Sequence, residues 1–281
     1  MLSNIYIPEA LAHLPSISDG DVSFVYYDQH SNGLRNRVVF NKNAISFIIN
    51  GEKHLCTSGG TAIIGVNEAV VIPEGNSIIS ERSLNAGRYN SLVIAFPTTR
   101  LSAFLQTIPA SKASEHLEEL PFIRVDKYLA QYIAQIVALI ESKTQLSPAL
   151  VAHKFHELLL ILMEENPATA AFLRKLAANN NDTSLKNIVE NHLHQNISIS
   201  ELAFLSNRSL STFKRDFEKN YGVPPAKYIR EKRLEIAATE LLKGRQASEL
   251  YMDYGYENLS SFVQAYKKKY GVTPGRATTS V

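Results

Sequence analysis

Apolar residues follow two regimes along the chain. Up to about residue 120 they come in short runs, Val22–Tyr27, Ala44–Ile49, Thr61–Val66, Ala69–Ile72 and Ser91–Phe96. Turn-forming residues close each run: Asp28-Gln29-His30-Ser31-Asn32-Gly33, Asn50-Gly51, Asn67-Glu68, Pro73-Glu74-Gly75-Asn76 and Pro97. Runs of this length between turn signals predict strands. Asn50-Gly51 predicts a tight type I′ hairpin, because both residue types tolerate the positive φ such a turn requires. Many short strands with even spacing predict a small sandwich or barrel.

From about residue 122 the period lengthens. Tyr128, Ile133, Ile136, Val137 and Ile140 recur at helical spacing. So do Leu150, Phe155, Leu158, Leu159 and Leu162, opened by Ser147-Pro148. A third, shorter helix is expected over Ala168–Ala178. The polar turn formers Asn179-Asn180-Asn181-Asp182 then interrupt the pattern and place a linker at 179–183. Beyond it all elements read as helices: Ser184–His194, Ile199–Leu205, Leu210–Asn220, Pro225–Lys243, Ser248–Tyr254 and Asn258–Tyr270. Ser198-Ile199-Ser200-Glu201 has the form of a capping box. Ser209 is placed to cap the helix after it, and Gly244 to end the long one. The expected fold is α+β. A β-rich, cupin-like sandwich or barrel over 1–120 is followed by a helical, dimerising segment over 121–178, the linker, and an all-α module over 184–281.

A repeat runs through that last module. Phe213, Phe217, Tyr221-Gly222-Val223-Pro224-Pro225 reappear 49 positions later as Phe262, Tyr266, Tyr270-Gly271-Val272-Thr273-Pro274. Aromatics four apart share one helix face, so each copy is a helix packed by its aromatic edge, stopped by Gly and kept from restarting by Pro. A shorter helix and a tight turn precede each copy, with Asn207-Arg208 and Gly255-Tyr256 in the turns. Asn and Gly reach the left-handed conformation most cheaply. Short helix, tight turn, longer helix, present twice, is a doubled helix-turn-helix. The long helix between the copies, about 28 Å at ~1.5 Å per residue, approaches the ~34 Å between successive major-groove segments on one face of B-DNA. Opposite the aromatic edges lie Ser211, Thr212, Lys214, Arg215 and Lys219 on the first long helix. On the second lie Ser260, Ser261, Gln264 and the run Lys267-Lys268-Lys269. Hydroxyl, amide and cationic groups in this position suit base edges and phosphates.

Charge adds to this picture. From residue 184 onward there are 15 Lys+Arg against 10 Asp+Glu, a net +5; the front part has 14 against 17, a net −3. A basic rear third fits a polyanion partner. The lone cysteine, Cys56, rules out an internal disulfide framework. The most apolar run, Leu158–Met163, falls far short of the ~18 residues a membrane span needs, and the first residues lack the layout of a secretory signal. The expected compartment is the cytoplasm, with no membrane partner.

Residues 184–281 resemble the AraC/XylS family of transcription regulators. The match rests on Leu202-Ala203, Phe213 and Phe217, Tyr221-Gly222-Val223-Pro224-Pro225-Ala226-Lys227-Tyr228-Ile229, Arg233-Leu234 with Ala237, Leu241 and Leu242, Gly255-Tyr256, and Phe262 through Pro274. The resemblance implies an all-helical module that contacts two successive major-groove segments of double-stranded DNA. By position, Ser211, Lys214 and Arg215 would read bases from the first unit, and Leu259, Ser260, Val263 and Gln264 from the second. Ser209, Thr212, Lys219, Asn258, Ser261, Lys267 and Lys268 complete the expected DNA-binding set. Three places depart from the family pattern: Tyr251 replaces a small residue, Leu259 and Val263 are apolar, and Pro274-Gly275-Arg276-Ala277 lacks the usual aromatic and Arg. The front part resembles the β-sandwich of many members, through Ile45–Glu52 and Val70–Gly75. The resemblance implies activation of transcription through RNA polymerase. It also implies control through the front part by a small-molecule effector or a protein partner.

The competing reading is a small-molecule-binding or enzymatic barrel with an incidental helical tail. A metal-dependent barrel needs several His and a carboxylate at one mouth. Here His30 and His54 lie in the strand-like region, with His13 near the start. His153 and His156 share a helix face but lack further ligands; His192 and His194 diverge. No catalytic residue, metal or cofactor is assigned, the chain is expected not to be an enzyme, and no effector-binding residue is identified. Core packing explains part of the wide apolar stripe of Pro148–Met163, and pairing with a second copy in a homodimer explains the rest equally well.

Overall fold

The computed structural model describes residues 4–30, 33–83, 88–109, 122–178 and 184–277. The chain divides into two compact units, Met1–Asp182 and Thr183–Val281. The expected linker at 179–183 lies outside the described residues.

The first unit contains the strands β1 (Ile5–Ile7), β2 (Ser16–Ser18), β3 (Ser23–His30), β4 (Asn36–Phe40), β5 (Asn43–Asn50), β6 (Glu52–Thr57), β7 (Gly60–Ile64), β8 (Glu68–Ile72), β9 (Gly75–Arg82), β10 (Arg88–Phe96) and β11 (Phe122–Arg124). Its helices are α1 (Thr98–Leu105), α2 (Lys127–Glu141), α3 (Pro148–Glu165) and α4 (Pro167–Ala177). The strands form two sheets, ordered β1-β4-β9-β6-β7 and β11-β8-β5-β10-β3-β2. Strands β5 and β10 are apolar along nearly their whole length and buried on both faces. Their inner face meets the other sheet. Their outer face meets the helices, with Phe96 of β10 against Phe155 of α3 at 5.0 Å between ring centroids. Sheet and helices thus share one core, and burial on both faces is why these strands read as unbroken apolar runs.

The five expected strands are all present as β3, β5, β7, β8 and β10. The pattern overlooked β1, β2, β4, β6, β9 and β11, as well as α1, which lies inside the stretch expected to be strand. Strand β6 alternates half-buried and buried positions over its first four residues, so alternation rather than a run marks it, and β9 has only Ile78-Ile79 as an apolar run between polar residues. The expected Asn50-Gly51 hairpin does not form. Strand β5 has β8 on one edge and β10 on the other, so β6 crosses to the second sheet instead. Only Gly51 has positive φ, +92°. A Cβ there would lie 2.5 Å from the Arg82 carbonyl oxygen and 2.9 Å from the Tyr89 ring. Close approach at a corner between sheets is therefore what demands glycine here.

The apolar stripe of α3 is consumed within the chain. Val151, Phe155, Leu158, Leu159, Ile161 and Leu162 are buried in this unit's own core, leaving Leu150 and Leu160 exposed.

The second unit is helical: α5 (Leu185–Asn191), α6 (Ile199–Leu205), α7 (Leu210–Tyr221), α8 (Pro225–Leu242), α9 (Ala247–Asp253), α10 (Leu259–Tyr270) and α11 (Pro274–Ala277). Local chemistry sets most ends. The Ser198 hydroxyl accepts from the Glu201 amide at 3.2 Å while the Ser198 amide donates to the Glu201 carboxylate at 2.8 Å. Pro225 opens α8. Helix α5 stops at Asn191, three residues short of the expected end, where the buried His192 ring contacts the Ile188 carbonyl oxygen at 2.7 Å.

Candidate nucleic-acid interface

Two near-copies of one device occupy the second unit. In the first, α6 leads through Asn207, at φ 54°, into α7; in the second, α9 leads through Gly255, at φ 81°, into α10. Each long helix is 12 residues. Ser209 caps α7 by accepting from the Thr212 amide at 3.1 Å. Asn258 caps α10 by accepting from the Ser261 amide at 2.9 Å. At the other ends Gly222 and Gly271 take the left-handed conformation, and each amide donates to the carbonyl four residues back at 2.8 Å.

The aromatic edges point inward. Phe213, Phe217, Phe262 and Tyr266 are buried. Phe217 stacks on Tyr221 at 4.3 Å between centroids and meets Tyr228 of α8 edge-on at 5.5 Å. In the second copy Phe262 lies 6.1 Å from Tyr266, which lies 4.6 Å from Tyr270. Burial pushes the Tyr221 hydroxyl up to about 12, so it stays protonated. Each edge welds its long helix to the scaffold and leaves the opposite face outward.

On that outward face Ser211, Lys214, Arg215 and Lys219 of α7 are exposed, as are Ser260, Ser261, Gln264, Lys267 and Lys268 of α10. Leu259 is also exposed, whereas Thr212 and Val263 are half-buried. The side chains of Ser209 and Asn258 are engaged as caps, which directs them at helix geometry. The first turns of α7 and α10 nonetheless end in backbone N–H groups, and such termini suit phosphate oxygens. Replacing the cap, as in Ser209→Ala, is expected to destabilise the unit by about 1 kcal/mol. Urea titration of the variant against the parent checks this.

Charge on these helices is sorted by the fold. Asp216 bridges Arg215 at 3.3 Å and Arg208 at 3.4 Å. The Arg215 side chain is three-quarters exposed, so this pairing is weak and releases the guanidinium readily. The run Lys267-Lys268-Lys269 divides. Lys267 and Lys268 face outward, but Lys269 donates to the Glu231 carbonyl oxygen at 2.6 Å and to Glu235 at 3.1 Å, both on α8. Bonds from Lys232 and then Lys269 hold the Glu235 carboxyl below its usual range. Lys269 therefore fastens α10 to the long helix and does not share the outward role of its two neighbours, a distinction that adjacency in sequence conceals.

Pattern reading missed Arg233, on α8. It is buried, and its guanidinium donates to the carbonyl oxygens of Leu193 at 3.3 Å, Ile197 at 3.1 Å and Gln195. In the sequence it stands out only within the stretch that resembles the family.

A second candidate site lies in the first unit. A cavity of about 400 Å³, bounded by residues such as Ile7, Leu11, Val38 and Phe40, has a polar end built from Ser46, Lys53 and Glu81. Lys53 is 4% exposed. Its ammonium donates to the Ser46 hydroxyl at 3.0 Å and lies 3.5 Å from the Glu81 carboxylate. Burial pushes Lys53 below its ordinary value while Glu81 pulls the other way. Burial, followed by the charge and hydrogen bond of Glu81, pushes the Tyr27 phenol well up. Lys53 shares the inward face of β6 with the buried Leu55, and that period-two register was the available sequence signal. The His54 ring is 2.8 Å from Glu52 and His156 lies against Phe104. No group of three or more His, Cys, Asp or Glu among the described residues is arranged to hold a metal ion.

Comparison with known proteins is consistent with this division. Residues 43–174 match the ExsA N-terminal regulatory domain, and residues 202–279 match a helix-turn-helix domain. The thermoregulatory protein LcrF of Yersinia pestis is 27% identical over 220 residues, covering 73% of this chain and 80% of that protein. The virulence regulon transcriptional activator VirF of Yersinia enterocolitica is 28% identical over 221 residues, with the same coverage, 73% and 80%. The regulator ExsA of Pseudomonas aeruginosa is 30% identical over 133 residues, 46% of this chain and 48% of that one. Among solved structures, ToxT of Vibrio cholerae, crystallised with an unsaturated fatty acid bound, aligns over 92% of this chain and 94% of its own, at 14% identity and a TM-score of 0.38.

Proposed function

Since this chain belongs to the AraC/XylS family of transcription regulators, we propose that α7 and α10 enter two successive major-groove segments of one duplex. The chain is a DNA-binding transcriptional activator with a regulatory front unit, and not an enzyme. In this reading Ser211, Lys214 and Arg215 face base edges from α7. Leu259, Ser260, Val263 and Gln264 do so from α10, where the apolar pair meets thymine methyl groups. Thr212, Lys219, Ser261, Lys267 and Lys268 meet phosphates, and the caps Ser209 and Asn258 aim the helix starts. The observation that carries the reading is the repeated device itself: two aromatic edges turned inward and two polar faces turned outward, joined by the 18-residue α8, a rod of about 27 Å.

The test begins with an operator selected from a randomised duplex library by the full chain. Arg215→Ala is expected to weaken binding by about 1–3 kcal/mol and to relax preference at one base position. Lys268→Ala is expected to weaken all sequences alike and to reduce the slope of log K against log salt by about 1. Binding that is indifferent to Arg215, with a salt slope unchanged by Lys268, would remove α7 and α10 from the interface.

The cavity supports a second element of the same reading: an effector held between the two sheets. Lys53 and Glu81 give its polar end no net charge, so an uncharged, largely apolar molecule with one hydroxyl or carbonyl group fits best. A ligand-dependent rise in the melting temperature of the first unit tests this. The homodimer and the contact with RNA polymerase also belong to the proposal. Tyr128, Leu150 and Leu160 leave apolar surface on α2 and α3, and the relatives' names describe activators. Light scattering on the full chain checks the dimer. No helix among the described residues is long and apolar enough to cross a membrane. Action in the cytoplasm also belongs to the proposal.

A further inference from the structure

We propose that Arg233 is the residue that sets the spacing between the two DNA segments, by locking both helix-turn-helix units to one point of α8. The inference rests on α7 and α10 being the groove-entering helices.

Arg233 is the ninth of the 18 residues of α8, so it sits at the middle of the rod. Its three carbonyl partners, Leu193, Gln195 and Ile197, all belong to the segment between α5 and α6. That segment ends in the Ser198 capping box and so sets where α6, the first helix of the first helix-turn-helix, begins. The same guanidinium reaches the second helix-turn-helix. A Cβ placed on Gly255, the left-handed residue of the turn between α9 and α10, would lie 3.1 Å from Arg233 Nη1 and 2.9 Å from Asn196 Oδ1. One buried cation thus joins the approach to α6, the centre of the rod and the turn before α10.

The residue type matters. A guanidinium carries five donors in a fixed plane, so it holds several carbonyls at set angles; an ammonium is a point charge on a flexible stem. Gly255 matters for the same reason, since any side chain there would push the second turn off the junction. The two outward faces are therefore held in register by a contact that touches neither face. A rigid register shows itself in DNA binding as intolerance of altered spacing. One extra base pair moves one segment by about 3.4 Å along the axis and rotates it about the duplex. A stiff two-headed protein then loses the gain of simultaneous engagement, whereas a loosened one recovers part of it.

The experiment uses the full chain and the operator selected from the randomised library. Binding is measured to the two-segment site, to each segment with the other scrambled, and to the two-segment site with one base pair inserted between segments. The parent protein is expected to lose about tenfold or more on insertion. Arg233→Met is expected to bind the two-segment site about tenfold less tightly, to keep single-segment affinity within about twofold, and to show an insertion penalty of only about twofold. Arg233→Lys keeps the charge without the planar fork. It is expected to show the same collapse of the insertion penalty, and it carries the test if the Met variant fails to fold. An insertion penalty unchanged in the folded variants overturns the inference, as does an equal loss on single and paired segments, which would make Arg233 a stabiliser alone. Selection of a one-segment operator would overturn the two-groove reading and this inference together; a two-segment operator with an unchanged penalty overturns this inference only.

Discussion

Replacing Phe217 with Ala is expected to destabilise the C-terminal unit by about 3–5 kcal/mol and to abolish DNA binding with it. Phe217 is completely buried. Its ring is the shared neighbour of Phe213 at 5.8 Å, Tyr221 at 4.3 Å and Tyr228 at 5.5 Å. Tyr228 lies on α8, so the ring joins the groove-facing helix to the rod. Truncation removes the transfer free energy of a phenyl group and leaves a cavity between two helices whose backbones are held apart by the remaining aromatics. Stability of a domain this size is about 5–15 kcal/mol in total, so the loss consumes a large part of it. Phe217→Leu retains most of the volume and should cost markedly less. Urea unfolding followed by circular dichroism should show a transition moved to lower denaturant in the Ala variant, with the transition of the β-rich unit unmoved. A Phe217→Ala protein of parental stability would mean that the aromatic edge is not what holds α7 in place.

Glu81→Gln is expected to destabilise the front unit by about 3 kcal/mol at neutral pH, because it strands the buried Lys53 charge without its carboxylate. The cost is placed at the lower end of what breaking a buried pair brings, since the Glu81 side chain keeps 22% exposure. The sign of the pH dependence follows from Lys53. Its folded value lies below the ordinary 10.5. Between the two values the unfolded chain binds more protons than the folded one, so this group makes stability rise with pH. Loss of Glu81 lowers the folded value further and extends the window downward. The deficit of Glu81→Gln relative to the parent should therefore shrink as pH rises from about 7 towards 9, and adding Lys53→Met should restore much of the stability. Melting temperatures across that range check both. The ligand preference should change as well. The parent cavity, with its charges internally cancelled, should be stabilised more by a medium-chain alcohol than by the carboxylate of equal length; Glu81→Gln, with an unpaired ammonium, should reverse that order. A parent protein that prefers the carboxylate would refute the uncharged-effector reading.

The helical unit was far more legible than the β-rich one. Caps act within three or four residues, so Ser198-Ile199-Ser200-Glu201, Pro225, Gly222 and Gly271 each announce a helix end where the chain has one. The 49-residue repeat survives in space because each copy carries its own aromatic edge, cap and turn. Strand pairing is non-local by nature. Asn50-Gly51 looks like a hairpin to a local reading, yet both edges of β5 are taken by partners about 25 and 45 residues further along the chain. The stripe on α3 reads equally well as core or as interface until the sheet that covers it is known.

What the linear order of residues determined is therefore the set of helices in the second unit, their repetition, and the chemistry of their outward faces, because these depend on contacts spanning only a turn or two. Tertiary structure alone decided which of three adjacent lysines turns inward to Glu231 and Glu235, and that Lys53 meets Glu81 inside a cavity. It alone decided that Arg233 reaches carbonyls about 40 residues away. The reason is physical. Capping and periodicity are local free energies, whereas the cost of burying a charge is offset only by whichever polar groups the completed fold brings to it.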